Sequence, residues 1–281
     1  MLEELSEALG QEVQKLDLLQ HGQIGGVYKA SMDRCDYVVK HSDQPEKLSV
    51  EAKMLIDLYD AKIRVPEVVH SKGSFLVMEY IESAHQDRDT QEVKAAKLLS
   101  RLHSVSNESR MYGYYYDTTI GPFPQKNEQT QYNWTLFLGQ MRIMPMAKLC
   151  YDEGKISKAL LERLELLCRD LYKCIDMSRI YPSLLHGDVW SGNVLFDGQG
   201  ACLIDPAIYY GDKEMELAFI LLFNTFGETF FQTYQESYPL SNDFYDVKVP
   251  IYQIYPLLVH VALYGSGYRV QLEQTLKRIK I

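Results

Sequence analysis

The segment HGDVWSGN, His186 to Asn193, sets a carboxylate and a carboxamide five residues apart, Asp188 and Asn193. A second carboxylate, Asp205, follows Asn193 by twelve residues in the segment IDPA. Phosphoryl transfer asks for such a set. It needs a carboxylate to orient an attacking hydroxyl, and oxygen ligands to hold Mg²⁺ on nucleotide phosphates. Mg²⁺ takes few protein carboxylates beside phosphate oxygens, which suits Asn193 with Asp205 and leaves Asp188 to receive the hydroxyl proton. A lone His-Gly-Asp would be an ordinary capped loop; the complete set carries the reading. His186 reads as a structural hydrogen-bonding residue, because Asp188 already fills the role of base.

Upstream, HGQIGGVYKA places Gly22, Gly25 and Gly26 between two apolar runs. Glycines let backbone approach phosphates closely, although a plain hairpin turn would read the same way. Lys40 ends the run YVVK and, at period two, shares a face with Val38. Its functional reading is a grip on the α- and β-phosphates. Glu51 lies three residues after Leu48 and four before Leu55, so it sits on or beside the buried stripe of a helix over 46–60. A carboxylate there needs a partner, and Lys40 supplies one; Glu46 is the solvated competitor. The run FLVMEYIE ends in Met78, Glu79, Tyr80 and Ile81, read as a hinge whose backbone can meet an adenine edge, with Met78 at the back of the pocket.

These residues must be carried by two kinds of scaffold. Strand-like runs cover 13–19, 27–32, 37–41, 67–71 and 75–81, with Lys72 and Gly73 as a hairpin turn. After residue 83 the periodicity is helical, with one stripe at Ala95, Leu98, Leu99, Leu102 and Val105 and another at Leu160, Leu164, Leu167 and Leu171. Between 184 and 205 two short apolar runs flank Asp197-Gly198-Gln199-Gly200, a hairpin that returns the chain to the cleft. The expectation is an α+β fold with a β-rich lobe over 1–82, a larger helical lobe over 83–281, and the ligand cleft between them.

Composition narrows the function classes. The 281 residues carry 29 Lys+Arg against 38 Asp+Glu, a net charge of −9, with no basic stripe for nucleic acid. The longest apolar stretch, Leu217 to Phe226, is too short to span a bilayer, and the N-terminus MLEELSEALG lacks the apolar core of a secretory signal. Five cysteines, none in a C-x-x-C pair, read as buried free thiols of a cytoplasmic protein, expected to be a monomer. The tyrosines at 112, 114, 115 and 116 read as a packed loop or strand in preference to a stacking platform; the acceptor groove is the other place for them.

Together these motifs resemble the protein-kinase-like superfamily and, within it, the fructosamine kinase (ketosamine 3-kinase) family, related to the aminoglycoside phosphotransferases. HGDVWSGN is similar to that family's H-G-D-[LV]-W-x-G-N loop, and IDPAIYYGDKEMELA looks like its D-P-A-x-x-Y-G-x-x-E-x-[DE]-L-A segment. Trp134, Phe137, Arg142 and Pro145 fit its W-x-x-F-x-x-x-x-R-x-x-P pattern, Pro124, Gln125 and Asn127 its P-Q-x-N, and GSGYR at 265–269 a C-terminal match. The chain departs from the family at Ile24-Gly25-Gly26-Val27, where a G-G-x-I-N/S-x element is common, and at Asp212, where many relatives have His. The resemblance implies ATP- and Mg²⁺-dependent phosphorylation of a sugar hydroxyl on ribulosamine, erythrulosamine or fructosamine adducts of protein lysines or small amines. It makes Trp190, Trp134, Tyr210 and Asp212 the expected substrate contacts, with core packing as the other reading of the two tryptophans. Glu214 and Glu216 read as capping or ion-pairing residues of the following helix, and the other reading of Asp212 is its N-terminal acid. An aminoglycoside- or choline-type kinase would share Asp188, Asn193 and Asp205 but not the W-x-x-F…R-x-x-P and GSGYR segments. A non-catalytic pseudokinase would not need those three together with Lys40 and Glu51.

Overall fold

The computed structural model describes residues 1–21, 25–33, 35–127 and 132–280. Five antiparallel strands, β1 (Lys15–His21), β2 (Gly26–Ser31), β3 (Asp36–His41), β4 (Val68–Lys72) and β5 (Phe75–Glu79), form a sheet in the order β1-β2-β3-β5-β4. Period-two alternation divides its faces. Ala30, Val39, Phe75 and Val77 bury one face against Leu5 of α1 (Leu2–Leu9) and Val13. Leu76 and Met78 turn the other way and join Leu48, Ala52, Leu55 and Leu58 of α2 (Pro45–Asp60). That second core is continuous with the helical part of the chain. α2 therefore stands between the sheet and the rest of the molecule, where its Glu51 can reach inward.

The sequence places most strand centres correctly but sets several ends off by one or two residues. β1 begins at Lys15 and β5 stops at Glu79, so Tyr80 and Ile81 lie beyond the ladder. α1 has no counterpart in the sequence reading. Of the cysteines, only Cys150 and Cys202 are buried; Cys35 is exposed and Cys168 and Cys174 are half-buried. Among the described residues no helix is long and apolar enough to cross a membrane.

Beyond residue 87, α3 (Arg88–Ser104) packs on the helix Glu228–Gln235. The expected stripes are Ala95, Leu98, Leu99, Leu102 and Val105, and Leu160, Leu164, Leu167 and Leu171 of the helix Lys158–Cys174; all are buried except Val105, which follows the end of α3 and is half-buried. Two short strand pairs are nested in the middle of the chain. Ser183–Leu185 pairs with Tyr209–Gly211, and Val194–Phe196 pairs with Ala201–Leu203. The inner pair is the expected hairpin, its turn closed by Asp197 Oδ1, which accepts from the N–H groups of Gln199 and Gly200 at 2.7 and 2.8 Å. Nesting makes the loop 186–193 and the loop 204–208 neighbours in space.

The tyrosine cluster packs instead of projecting. The Tyr114 and Tyr116 hydroxyls both donate to Asp57 of α2, at 3.1 and 2.6 Å, and only Tyr115 of the four is exposed.

Glu92 of α3 is buried and caps a helix that is not its own. Its carboxylate accepts from the N–H groups of Gly227 and Phe230 at 2.8 and 3.1 Å, at the start of the helix Glu228–Gln235, and from Arg88 Nε at 2.8 Å. Glu92→Ala strands those N–H groups, and the expected loss is about 1–3 kcal/mol, read as a lower urea midpoint with unchanged slope.

Candidate active site

Each functional side chain is delivered by a local rule of the chain. Lys40 is presented by β3, opposite Leu76 of β5, on the face toward α2. Its ammonium lies 2.5 Å from Glu51 Oε1 and 2.5 Å from Asp205 Oδ1, a contact between residues 165 apart in sequence. Burial disfavours the charge on Lys40, but Asp205 and Glu51 outweigh it and raise its pKa. Burial also raises the Glu51 pKa, with Lys40 opposing. Glu46, the competing partner, is exposed.

The two loops are stitched together by backbone. Ile204 N–H donates to the Asn193 carbonyl at 3.0 Å, and Ala207 N–H to the His186 carbonyl at 2.8 Å. Within the first loop, Asn193 Nδ2 donates to the Asp188 carboxylate and to its carbonyl, both at 2.9 Å. That use of Nδ2 commits the amide orientation and leaves Oδ1 as the free oxygen donor. Burial first, and the Asp205 carboxylate second, push Asp188 up to about 7. Asp205 holds φ at 55°, a conformation side chains other than Gly seldom take.

Behind these loops stands Glu216, fully buried. It accepts from the N–H groups of His186 and Gly187, at 3.2 and 2.7 Å, and contacts His103 Nε2 at 2.9 Å. The sequence reading took it for a capping or ion-pairing residue; besides its contact with His103, its carboxylate seats the loop 186–193. His186 is structural, as expected. Its Nε2 lies 3.0 Å from the Ile204 carbonyl, which can only accept, so Nδ1 receives the Asp188 N–H at 3.3 Å. Burial lowers its pKa, so the ring is neutral.

A cavity of about 570 Å³ gathers Gly25, Gly26, Lys40, Glu51, Asp188, Trp190, Asn193 and Asp205 on one surface. Gly22 lies outside the described residues. Gly25 has no room for a side chain, since a Cβ would stand 1.9 Å from the His41 carbonyl oxygen. Trp190 is exposed at the cavity and lies over Gly192. Met78 to Ile81 do not line this cavity. Met78 and Ile81 are buried, Glu79 is held by Arg64 at 2.7 Å, and Lys29 stacks on the Tyr80 ring at 4.3 Å. Among the described residues, no backbone hydrogen bond engages Tyr80 or Ile81.

Three expected substrate contacts are corrected. Trp134 is fully buried and donates from Nε1 to the Tyr252 hydroxyl at 3.0 Å, so it is core. Tyr210 is buried, stacked on Tyr114 with ring centroids 5.6 Å apart. Asp212 is the N-terminal acid that its other reading gave: it caps the helix Lys213–Leu222 and accepts from Lys248 and the Tyr252 hydroxyl, at 3.0 and 2.6 Å. Spacing along the chain could not separate these from cavity residues: Tyr210 and Asp212 closely follow Asp205 and Trp134 belongs to a motif of its own, yet all three turn into the core. Conversely, the cavity includes Phe219, Phe223, His260 and Tyr264, which no short motif marks. Tyr268 also lines it and was visible only as part of GSGYR.

Gly187 holds φ at 86°, and a Cβ there would lie 2.2 Å from the Ala207 carbonyl oxygen. Gly187→Ala therefore forces the two loops apart. The expected cost is about 2–3 kcal/mol, measured by urea unfolding, with loss of the native near-UV signal of the site tryptophan.

The chain matches the sequence model described as Fructosamine kinase over residues 1–281. It is 32% identical over 263 residues to the "Probable ketoamine kinase" of Enterococcus faecium, covering 91% of this chain and 92% of that one. It is 30% identical over 274 residues to the "Protein-ribulosamine 3-kinase, chloroplastic" of Arabidopsis thaliana, covering 94% and 82%. The crystal structure of the "Putative fructosamine-3-kinase" of Thermobifida fusca superposes with a TM-score of 0.86 at 26% identity, over 99% of this chain and 97% of the other. An ADP-bound aminoglycoside phosphotransferase superposes at 0.68 with 16% identity, over 99% and 96%, a likeness of fold alone. The fold is thus the two-lobed protein-kinase-like one, and a match that runs from the first residue to the last places this chain in the fructosamine kinase family.

Proposed function

We propose that the protein transfers the γ-phosphoryl group of ATP to a sugar hydroxyl of a ketosamine, the adduct of a ketose such as ribulose, erythrulose or fructose with an amine. One observation carries the reading: Lys40, between Glu51 and Asp205, joins the sheet side of the cavity to the loop beside Asp188 and Asn193. That arrangement suits a nucleotide whose phosphates lie under Gly25 and Gly26 and along Lys40. The exit of β5 at Glu79, with Tyr80 and Ile81 after it, is the hinge in this reading, and the lobes divide at residues 82 and 83.

The residues suit Mg²⁺. Asp205 offers a carboxylate and Asn193 a free Oδ1, and among the described residues no cluster of three or more His, Cys, Asp and Glu side chains competes as a metal site. When bound, the ion neutralises phosphate charge during transfer. Asp188 orients the sugar hydroxyl and takes its proton as the oxygen–phosphorus bond forms; the bond from that phosphorus to the β-phosphate oxygen breaks, and ADP leaves with the electron pair. Lys40, held charged and aimed by Glu51, binds the α- and β-phosphates, for which it gives up its contact with Asp205. The free thiols Cys150 and Cys202 accord with action in a reducing cytoplasm.

The test is a panel of ribuloselysine, fructoselysine and kanamycin with ATP, the product read by phosphorus NMR. Phosphorylation of a ketosamine sugar, and none of kanamycin, is expected; turnover of kanamycin alone overturns the reading. Asp188→Ala lowers kcat by about a thousandfold with ATP still bound, and Asp205→Ala removes the response of rate to Mg²⁺. A Lys40→Ala variant with wild-type KM for ATP would assign the phosphate grip to another residue.

A further inference from the structure

The cavity has a second wall that the phosphoryl-transfer set does not use. Phe219 and Phe223 reach it from the helix Lys213–Leu222 and the residue after it. His260 and Tyr264 come from the helix Ile254–Tyr264, and Tyr268 from the helix Ser266–Arg278. Their rings form a continuous set. Phe219 and Phe223 lie 4.8 Å apart between centroids, Phe223 and His260 4.7 Å, and His260 and Tyr268 4.8 Å. Besides His260, these three helices bring no Asp, Glu, Lys or Arg side chain into the cavity. Its two lysines stand on β3 and α2, Lys40 between two carboxylates and Lys47 against the Pro122 carbonyl at 3.3 Å.

The hydrogen-bonding state of His260 follows from one contact. Its Nδ1 lies 2.8 Å from the Pro256 carbonyl oxygen, which can only accept, so Nδ1 carries the proton. Burial lowers the pKa of the ring, which is therefore neutral. Nε2 is then a bare acceptor, and no described group donates to it. A wall of aromatic faces around one neutral acceptor selects for a cation that can donate, by cation–π attraction and one hydrogen bond. It offers nothing to a carboxylate.

We infer that this wall is the subsite for the amine half of the acceptor, with His260 Nε2 accepting from the protonated secondary amine, and that it makes the enzyme select adducts whose amine carries no neighbouring carboxylate. The inference rests on the kinase reading above and names which ketosamines satisfy it. Adducts of alkylamines and of the lysine ε-amine meet the condition. Adducts of an α-amino acid's own amine do not, because their carboxylate would be desolvated against aromatic rings without a partner.

Three ribulose adducts test this with the full-length protein: those of butylamine, of the ε-amine of Nα-acetyl-lysine amide, and of glycine. The first two are expected to exceed the glycine adduct in kcat/KM by at least about tenfold. Equal values for the first two mean that the wall reads the amine alone; a higher value for the lysine adduct means that it also favours a peptide chain. Both outcomes support the subsite. His260→Phe keeps the ring and removes the acceptor. It should raise KM for the butylamine adduct about tenfold while kcat and the KM for ATP stay within about twofold, with His260→Gln restoring most of the loss. Phe223→Arg, checked for a native thermal midpoint, should narrow or reverse the bias against the glycine adduct. Equal kcat/KM for glycine and butylamine adducts, or a His260→Phe variant with unchanged KM, overturns the subsite and leaves the kinase reading standing. No phosphorylation of any of the three, with the erythrulose and fructose adducts of the same amines inert as well, overturns both.

Discussion

One ammonium holds the site together. Lys40 sits between Glu51 and Asp205, so it touches a strand, the helix packed on that strand, and a loop from the far half of the chain. Such a buried ionic contact adds little net stability, because desolvation of the charges offsets most of their attraction. Its value is positional. Remove the cation and two carboxylates are left facing each other in a low-dielectric cleft; remove either carboxylate and the lysine loses its aim. The charges therefore fix where the sheet side stands relative to the loops, and those relative positions set the geometry of transfer.

A second buried carboxylate does for the loops what Lys40 does for the lobes. Glu216 accepts from two consecutive backbone N–H groups, His186 and Gly187, immediately before Asp188. With Gly187 pressed on the Ala207 carbonyl and Asn193 donating to Asp188, Asp188 is held from behind, from the side and through its own side chain. A further ionic cluster, Asp212 and Glu214 around Lys248, fixes the start of the same helix and ties it to Tyr252. The polar contacts here are deep, whereas the wall formed by Phe219, Phe223, His260 and Tyr268 is aromatic. The cavity thus changes character along its length, from charged side chains near Gly25 and Gly26 to aromatic rings at the C-terminal helices.

Arg64 completes the connection between the two halves. It pairs with Glu79 at the end of β5 and reaches Asp197 in the hairpin after Asn193, at 2.7 and 3.0 Å, while its carbonyl accepts from Leu203 N–H. The end of β5 and the hairpin after Asn193 are therefore pinned through one side chain. Arg64 stands alone between α2 and β4 with no patterned neighbours, which is why nothing in its sequence context singles it out.

Local rules determined a good deal from the sequence by itself. Period two on β3 put Lys40 on the face of Val38, helical spacing put Glu51 beside the buried stripe of α2, and the Asp197–Gly200 turn returned the chain so that Asp205 follows Asn193. These features depend on short-range geometry, which residue order encodes directly. Tertiary structure alone decided which way a side chain with the chemistry of a ligand contact points. Trp134, Tyr210 and Asp212 carry the chemistry of ligand contacts, yet they turn into the core, because buried partners such as Tyr252 and Lys248 arrive from segments remote in the chain. Phe223 and His260 carry no motif, yet they line the cavity, because three helices distant in sequence converge there. Burial and convergence are properties of the packed molecule; a linear pattern records which face a residue takes on its own element and leaves open what that face will meet.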